Sequence, residues 1–203
     1  MTKKNNSQLV LASASKSRAS ILKQAGVDFR SMPSFCDEEK IKKKLKCTDT
    51  PTEVIASRLA KSKANTISKR HPDLYVLAAD QILECNGINY DKPKNLEQAR
   101  QHLVDLRGKC HSLYTVTVIY RASECTWQNS TKVKMQMRNY SDTFIDTYLS
   151  ILGPSVCETV GAYKLEGMGS QLFEFVTGDY FSILGLPLLP LLQYLRQIGI
   201  LDE

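Results

Sequence analysis

Leu74-Tyr75-Val76-Leu77-Ala78-Ala79-Asp80-Gln81-Ile82-Leu83-Glu84-Cys85-Asn86-Gly87 is the stretch on which the fold turns. Leu74 to Ala79 is an unbroken apolar run and reads as a central strand that ends in Asp80-Gln81. Ile82 to Cys85 continues with strand character, and Asn86-Gly87 is a strong hairpin signal. Upstream, Thr50-Pro51-Thr52-Glu53 combines a capping box with a proline at the first helical position. Ile55, Leu59, Ala60, Ala64 and Ile67 then recur at helical spacing as far as Pro72. Further upstream, Leu9 to Ala12 reads as a short buried strand that turns through small hydroxyl residues into a helix from Lys16, with Gly26 at its C-terminal cap. Downstream, Asn95 caps a helix carrying Leu96, Ala99, Leu103 and Leu106, which Gly108 stops. Ser112 to Tyr120 and Lys132 to Arg138 suit strands, with Val133, Met135 and Met137 alternating on one face. Ser141 caps a helix that Gly153-Pro154 ends. Leu172 to Val176 and Tyr180 to Leu184 are expected as strands and Leu188 to Ile198 as a final helix. Strands alternate with helices, yet hairpins occur too, so the class is α/β with a mixed sheet.

The 203 residues suffice for a substantial core, and the balance of apolar and charged residues is that of a soluble globular chain. The most apolar stretch, Ile183 to Leu192, is short and broken by Pro187 and Pro190, so no membrane span is expected. The start, Met1 to Asn6, has no apolar region after its lysines. No secretory signal is therefore expected, and the expected location is the cytoplasm. Six scattered cysteines, Cys36, Cys47, Cys85, Cys110, Cys125 and Cys157, form no zinc pattern and are expected as reduced thiols. The net charge is +6, with much of the excess in Lys40 to Lys46. That run is either a solvated face or an attractor of polyanions, and composition does not separate the two.

Several residues can carry chemistry. In Ser13-Ala14-Ser15-Lys16-Ser17-Arg18, small and hydroxyl residues sit where a strand enters a helix, with two cations in the first turn. The pattern fits an anion at the helix N-terminus, with Arg18 holding a phosphate through paired N–H donors, or a plain cap with surface cations. Asp80 follows an apolar run, where a carboxylate is costly unless it lies at a strand end with a partner; it can bind Mg²⁺, act as general base, or simply end the strand. Lys63, Lys92, Lys94 and the acidic Asp37-Glu38-Glu39 complete the polar set. Glu38 with Asp80 is a sufficient pair for Mg²⁺, which takes one or two carboxylates together with phosphate oxygens and water. His111 lacks a Ser or Cys partner motif and reads as structural. Gly161 to Gly169, with Glu166 inside it, reads either as a flexible substrate loop or as a plain one.

In order and spacing, these blocks resemble the Maf (septum formation) family of nucleotide pyrophosphatases over almost the whole chain. The matching pieces are LASASKSRASIL from Leu11, DEE from Asp37, RLAKSKA from Arg58, LAADQ from Leu77, DKPKNLEQAR from Asp91, LRGKCHSLYT from Leu106, GAYKLEGMG from Gly161 and GDYFSILGLPLLPL from Gly178. The resemblance implies one domain over 1–203, with an elongated mixed sheet flanked by helices and a cleft between two lobes, similar to inosine triphosphate pyrophosphatases. It also implies Mg²⁺-dependent hydrolysis of a nucleoside triphosphate to a monophosphate and pyrophosphate. By position, Asp80 matches the catalytic acid residue and a metal position. Ser13, Ser15, Arg18, Lys63 and Lys92 match phosphate-handling positions, and Glu38 a metal position. Gln81 and Glu166 look like the 7-methyl-GTP branch, since the dTTP/UTP branch usually has Thr and Gln there. A carboxylate suits the donor edge and positive charge of a methylated guanine. Ser17 departs from the 7-methyl-GTP branch, where an aromatic side chain is common. The expected partners are the nucleotide and, for assembly, a second copy in a homodimer; membrane and nucleic acid are not expected. The competing reading, a nucleic-acid or division-machinery binder using Lys40 to Lys46, lacks an aromatic RNA-binding sheet signature.

Overall fold

A computed structural model describes residues 8–46 and 50–202; Cys47 and the segment 1–6 lie outside the described residues. Strand β1 (Leu9–Leu11) pairs in parallel with β2 (Arg30–Ser31) and with β3 (Tyr75–Cys85), in the register Val10 to Val76. Strand β4 (Ile88–Tyr90) folds back antiparallel on β3 through Asn86-Gly87, the expected hairpin. The sheet continues through β5 (Cys110–Arg121), β6 (Glu124–Met137) and β7 (Phe173–Thr177), in the order β2-β1-β3-β5-β6-β7. With parallel and antiparallel pairs in one seven-stranded sheet, the class is the expected mixed α/β.

The helices are α1 (Lys16–Gln24), α2 (Glu38–Lys46), α3 (Thr52–Ser68), α4 (Leu96–Leu106), α5 (Asp142–Leu152), α6 (Tyr180–Ile183) and α7 (Leu188–Gln197). Their starts follow the sequence signals. The side chains of Ser15, Asn95 and Ser141 each accept a hydrogen bond from the backbone N–H three residues on. The helix after Thr50 differs from expectation. It begins one residue later, with Pro51 as the cap residue, and the start rests on the fixed φ of proline rather than on a side-chain cap. Among the described residues no helix is long and apolar enough to cross a membrane.

The chain forms two compact units. The first holds the residues up to Asp80, Thr115–Ser130 and those from Leu184 on; the second holds Gln81–Tyr114 and Thr131–Ile183. In the first, Leu9, Val10 and Leu11 of β1, Leu59 and Ala60 of α3 and Leu191 and Leu195 of α7 are fully or almost fully buried. Each such leucine contributes about 1.5–3 kcal/mol on leaving water. In the second, Leu103 and Leu106 of α4, Tyr148 of α5 and Met135 and Met137 of β6 share one apolar core.

Three expectations are corrected. Asp80 does not end its strand but sits in the middle of β3, which runs unbroken from Tyr75 to Cys85, because its carboxylate has a cationic partner. Tyr180 to Leu184 is not a strand: Asp179 Oδ2 accepts from the backbone N–H and hydroxyl of Ser182, both at 2.6 Å, and starts α6. That cap overrides the aromatic and branched residues that favour a strand. Strand β6 also begins eight residues before Lys132, after a tight Ala122-Ser123 turn in which both residues have positive φ without a glycine. The stretch Glu124 to Thr131 is mostly polar and exposed, so it lacks the alternation that marked the rest of the strand.

Candidate active site

Asp80 projects from the mid-point of a strand whose five preceding residues are apolar apart from the tyrosine hydroxyl, and its side chain is about nine-tenths buried. An unpaired carboxylate at such a position would cost several kcal/mol. Lys63, on α3, answers it: its Nζ lies 2.6 Å from Asp80 Oδ1 and 3.1 Å from Glu38 Oε1. One ammonium thus joins two carboxylates from two different elements. Glu38 comes from the first turn of α2, where a negative charge suits the helix dipole. Asp37 Oδ1 accepts from the Lys40 N–H at 2.9 Å in that turn. Burial pushes the Asp80 carboxyl above its ordinary range, opposed by the charge and hydrogen bond of Lys63 and by the charge of Arg18, while Glu38 adds to the rise.

Arg18 lies on the first turn of α1. Its Nε donates to the Gly185 carbonyl at 2.8 Å, and its Nη1 donates to the Ala79 carbonyl at 2.8 Å and to Ser13 Oγ at 3.3 Å. Burial lowers its pKa from the ordinary guanidinium value, and the charges of Asp80 and Glu38 oppose the drop. Ser13 Oγ also accepts from the Ser15 N–H at 3.1 Å, and Ser15 caps α1. The hydroxyl residues expected at the helix entrance therefore shape the turn itself. The first unit thus contains Ser13, Ser15, Arg18, Glu38, Lys63 and Asp80, with direct contacts from Lys63 to both carboxylates and from Arg18 to Ser13. Ser17 lies half-buried in α1.

Gln81, Lys92 and Glu166 belong to the second unit. Gln81 Nε2 donates to the Ser182 carbonyl at 2.8 Å and the Ile183 carbonyl at 3.2 Å, the last two residues of α6. Lys92 and Glu166 are exposed. The segment around Glu166 is more ordered than a plain loop: short 3₁₀ turns cover Val160–Ala162 and Met168–Leu172, and the Lys164 N–H donates to Tyr148 Oη at 3.1 Å. Gly169 is needed there for close approach, since a Cβ would fall 1.9 Å from the Lys164 carbonyl oxygen. Tyr148 was not marked by the sequence; in a helix its hydroxyl looks like any core tyrosine, and only the fold brings Lys164 to it.

Among the described residues no three His, Cys, Asp or Glu side chains cluster as a ready-made metal centre. The donor set nevertheless fits a hard cation that takes few protein ligands, because Asp80 and Glu38 already converge on one positive charge and the Glu38 side chain is open to solvent. A groove of about 650 Å³ follows α3, lined by residues that include Arg58, Lys61 and Asn65. Lys61 and Asn65 each stand two residues from Lys63, which places the groove on the opposite face of that helix. It is not the Asp80 site.

The fold and this cluster define a mixed α/β protein with a buried carboxylate paired to an ammonium in mid-strand. The Maf-like protein family matches residues 8–198, and the chain belongs to that family. A protein of Granulibacter bethesdensis described as a nucleoside triphosphate pyrophosphatase is 44% identical over 190 residues, covering 94% of this chain and 96% of that one. A Rhizobium meliloti protein described as a 7-methyl-GTP pyrophosphatase is 39% identical over 194 residues, covering 96% of this chain and 98% of that one.

Proposed function

We propose that this chain is a nucleoside triphosphate pyrophosphatase, a hydrolase that adds water across the α–β phosphoanhydride and releases a monophosphate and pyrophosphate. The observation that carries the reading is the Lys63 ammonium held between Asp80 and Glu38. Full-length relatives bearing that description support it. Asp80 orients the attacking water and takes its proton. Lys63 both compensates the buried carboxylate and offers positive charge to phosphate oxygens. Ser13 and Ser15 form the helix entrance, and Lys92 supplies a further cation for the triphosphate. Mg²⁺ is the cation proposed for Asp80 and Glu38, and when bound it offsets negative charge that builds on the departing pyrophosphate.

Within this class the proposed substrate is 7-methyl-GTP. Support comes from Gln81 and Glu166, which resemble that branch, and from the Rhizobium meliloti relative. The exposed Glu166 carboxylate suits the donor edge of guanine and the added positive charge of the methylated base.

The test is pyrophosphate release with Mg²⁺ from 7-methyl-GTP, GTP, dTTP, UTP and CTP, alongside Asp80→Asn. Selective turnover of 7-methyl-GTP, reduced at least about 10³-fold in the variant, is expected. Preference for dTTP or UTP would keep the activity and refute the substrate. Near-normal turnover by Asp80→Asn would refute the mechanism.

A further inference from the structure

We propose that Arg18 is a positioning residue rather than a phosphate ligand, and that Gly185 is the glycine its position requires. The inference rests on the reading of Asp80 as the group that handles the attacking water. Arg18 has five N–H donors, and three are committed inside the protein: Nε to the Gly185 carbonyl, and both Nη1 hydrogens to the Ala79 carbonyl and Ser13 Oγ. A bidentate grip on phosphate uses two parallel donors from adjacent nitrogens. With Nε and Nη1 engaged, neither edge of the guanidinium offers such a pair. The phosphate role expected for Arg18 from its place in the first helical turn is therefore replaced by a clasp on three separate segments.

One of those segments leads directly to the chemistry. Ala79 precedes Asp80, and a bond to its carbonyl fixes the plane of the peptide that joins them. That plane sets the direction in which the Asp80 carboxylate leaves β3. The bond to Ser13 Oγ ties the same guanidinium to the entrance of α1, where Ser13 also accepts from the Ser15 N–H. Gly185 completes the clasp. Its φ is +93°, in the region that favours glycine, and a Cβ there would lie 3.3 Å from Arg18 Nε and 3.5 Å from Nη2. Any side chain at 185 would strain the backbone and press on the guanidinium, without adding or removing a charge.

Arg18→Lys and Gly185→Ala in the full chain test this. The readouts are steady-state turnover, equilibrium binding of an α,β-methylene analogue of the substrate, and amide hydrogen exchange over residues 79–81 and 185–186. Lysine cannot serve two carbonyls and a hydroxyl in the fixed geometry of the fork. Both variants are expected to lose about 10²-fold in kcat, the scale of a misplaced catalytic group, while analogue affinity stays within about threefold. Exchange at those amides should accelerate in both. Gly185→Ala keeps the guanidinium and so decides the matter even if Arg18→Lys fails to fold. The clasp is overturned if Arg18→Lys weakens analogue binding about 10-fold or more, as loss of a charged hydrogen bond does, with kcat retained and Gly185→Ala behaving as wild type. A wild-type chain that hydrolyses no nucleotide would overturn the functional reading alone, and the exchange data would still decide the clasp.

Discussion

The two units bury polar groups by opposite means. In the first, charge is buried: Asp80, Lys63 and Arg18 stand close together and each offsets another's desolvation. In the second, the buried polar groups are neutral. His111 shares a 2.8 Å hydrogen bond with Tyr163, whose hydroxyl donates to Met135 Sδ, and Tyr148 accepts from Lys164. Burial drives the His111 pKa down to about 4 and the Tyr148 pKa up to about 12, so both stay uncharged near neutrality. Burial is thus balanced by opposite charges in one region and avoided as a charge problem in the other. The first arrangement can exchange a proton and meet an anion. The second holds backbone in place and stays uncharged at neutral pH.

The sharpest break in this contrast comes from removing one member of the charged set. Lys63→Met retains an unbranched apolar side chain and leaves Asp80 without its nearest cation. A loss of about 3 kcal/mol is expected from urea unfolding at pH 7, because stripping the partner from a buried ion pair leaves an uncompensated charge. A change under 1 kcal/mol would show that Arg18 or protonation of the carboxyl, not Lys63, offsets the burial of Asp80.

The neutral region responds to acid instead. His111 has a folded pKa near 4 against an ordinary value of 6.5, so the unfolded chain binds more protons between those values. Its contribution is fully present above pH 6.5 and is lost as the pH falls towards 4, by up to about 3 kcal/mol. His111→Phe should flatten the wild-type decline in that window, measured as unfolding free energy from pH 7 to 4. Parallel declines in the two proteins would refute this.

The smallest expected effect is that of Tyr148→Phe, which removes one acceptor while keeping the ring. It should cost about 1 kcal/mol and speed amide exchange at Lys164. An unchanged Lys164 amide would mean that the segment carrying Glu166 is held by other contacts.

Much of this was legible in the chain. The apolar run before Asp80, the helix start at Lys16, the caps at Asn95 and Ser141, and the Asn86-Gly87 hairpin are local signals, and each appears where expected. Residues 180–183 misled because the capping role of Asp179 competes with strand-forming neighbours, and only its bonds to Ser182 decide for a helix. The start of β6 was hidden because its exposed residues show no apolar alternation and its turn uses Ala122-Ser123.

The sequence by itself determined the mixed α/β class and the candidate acid, because hydrophobic period, turn residues and an isolated carboxylate depend on neighbours along the chain. Only the tertiary structure decided which of the candidate residues touch one another. Lys63 is 17 positions from Asp80, and Arg18 is 167 from Gly185. A hydrogen bond needs donor and acceptor within about 3 Å, a distance that folding, not sequence spacing, sets for such pairs.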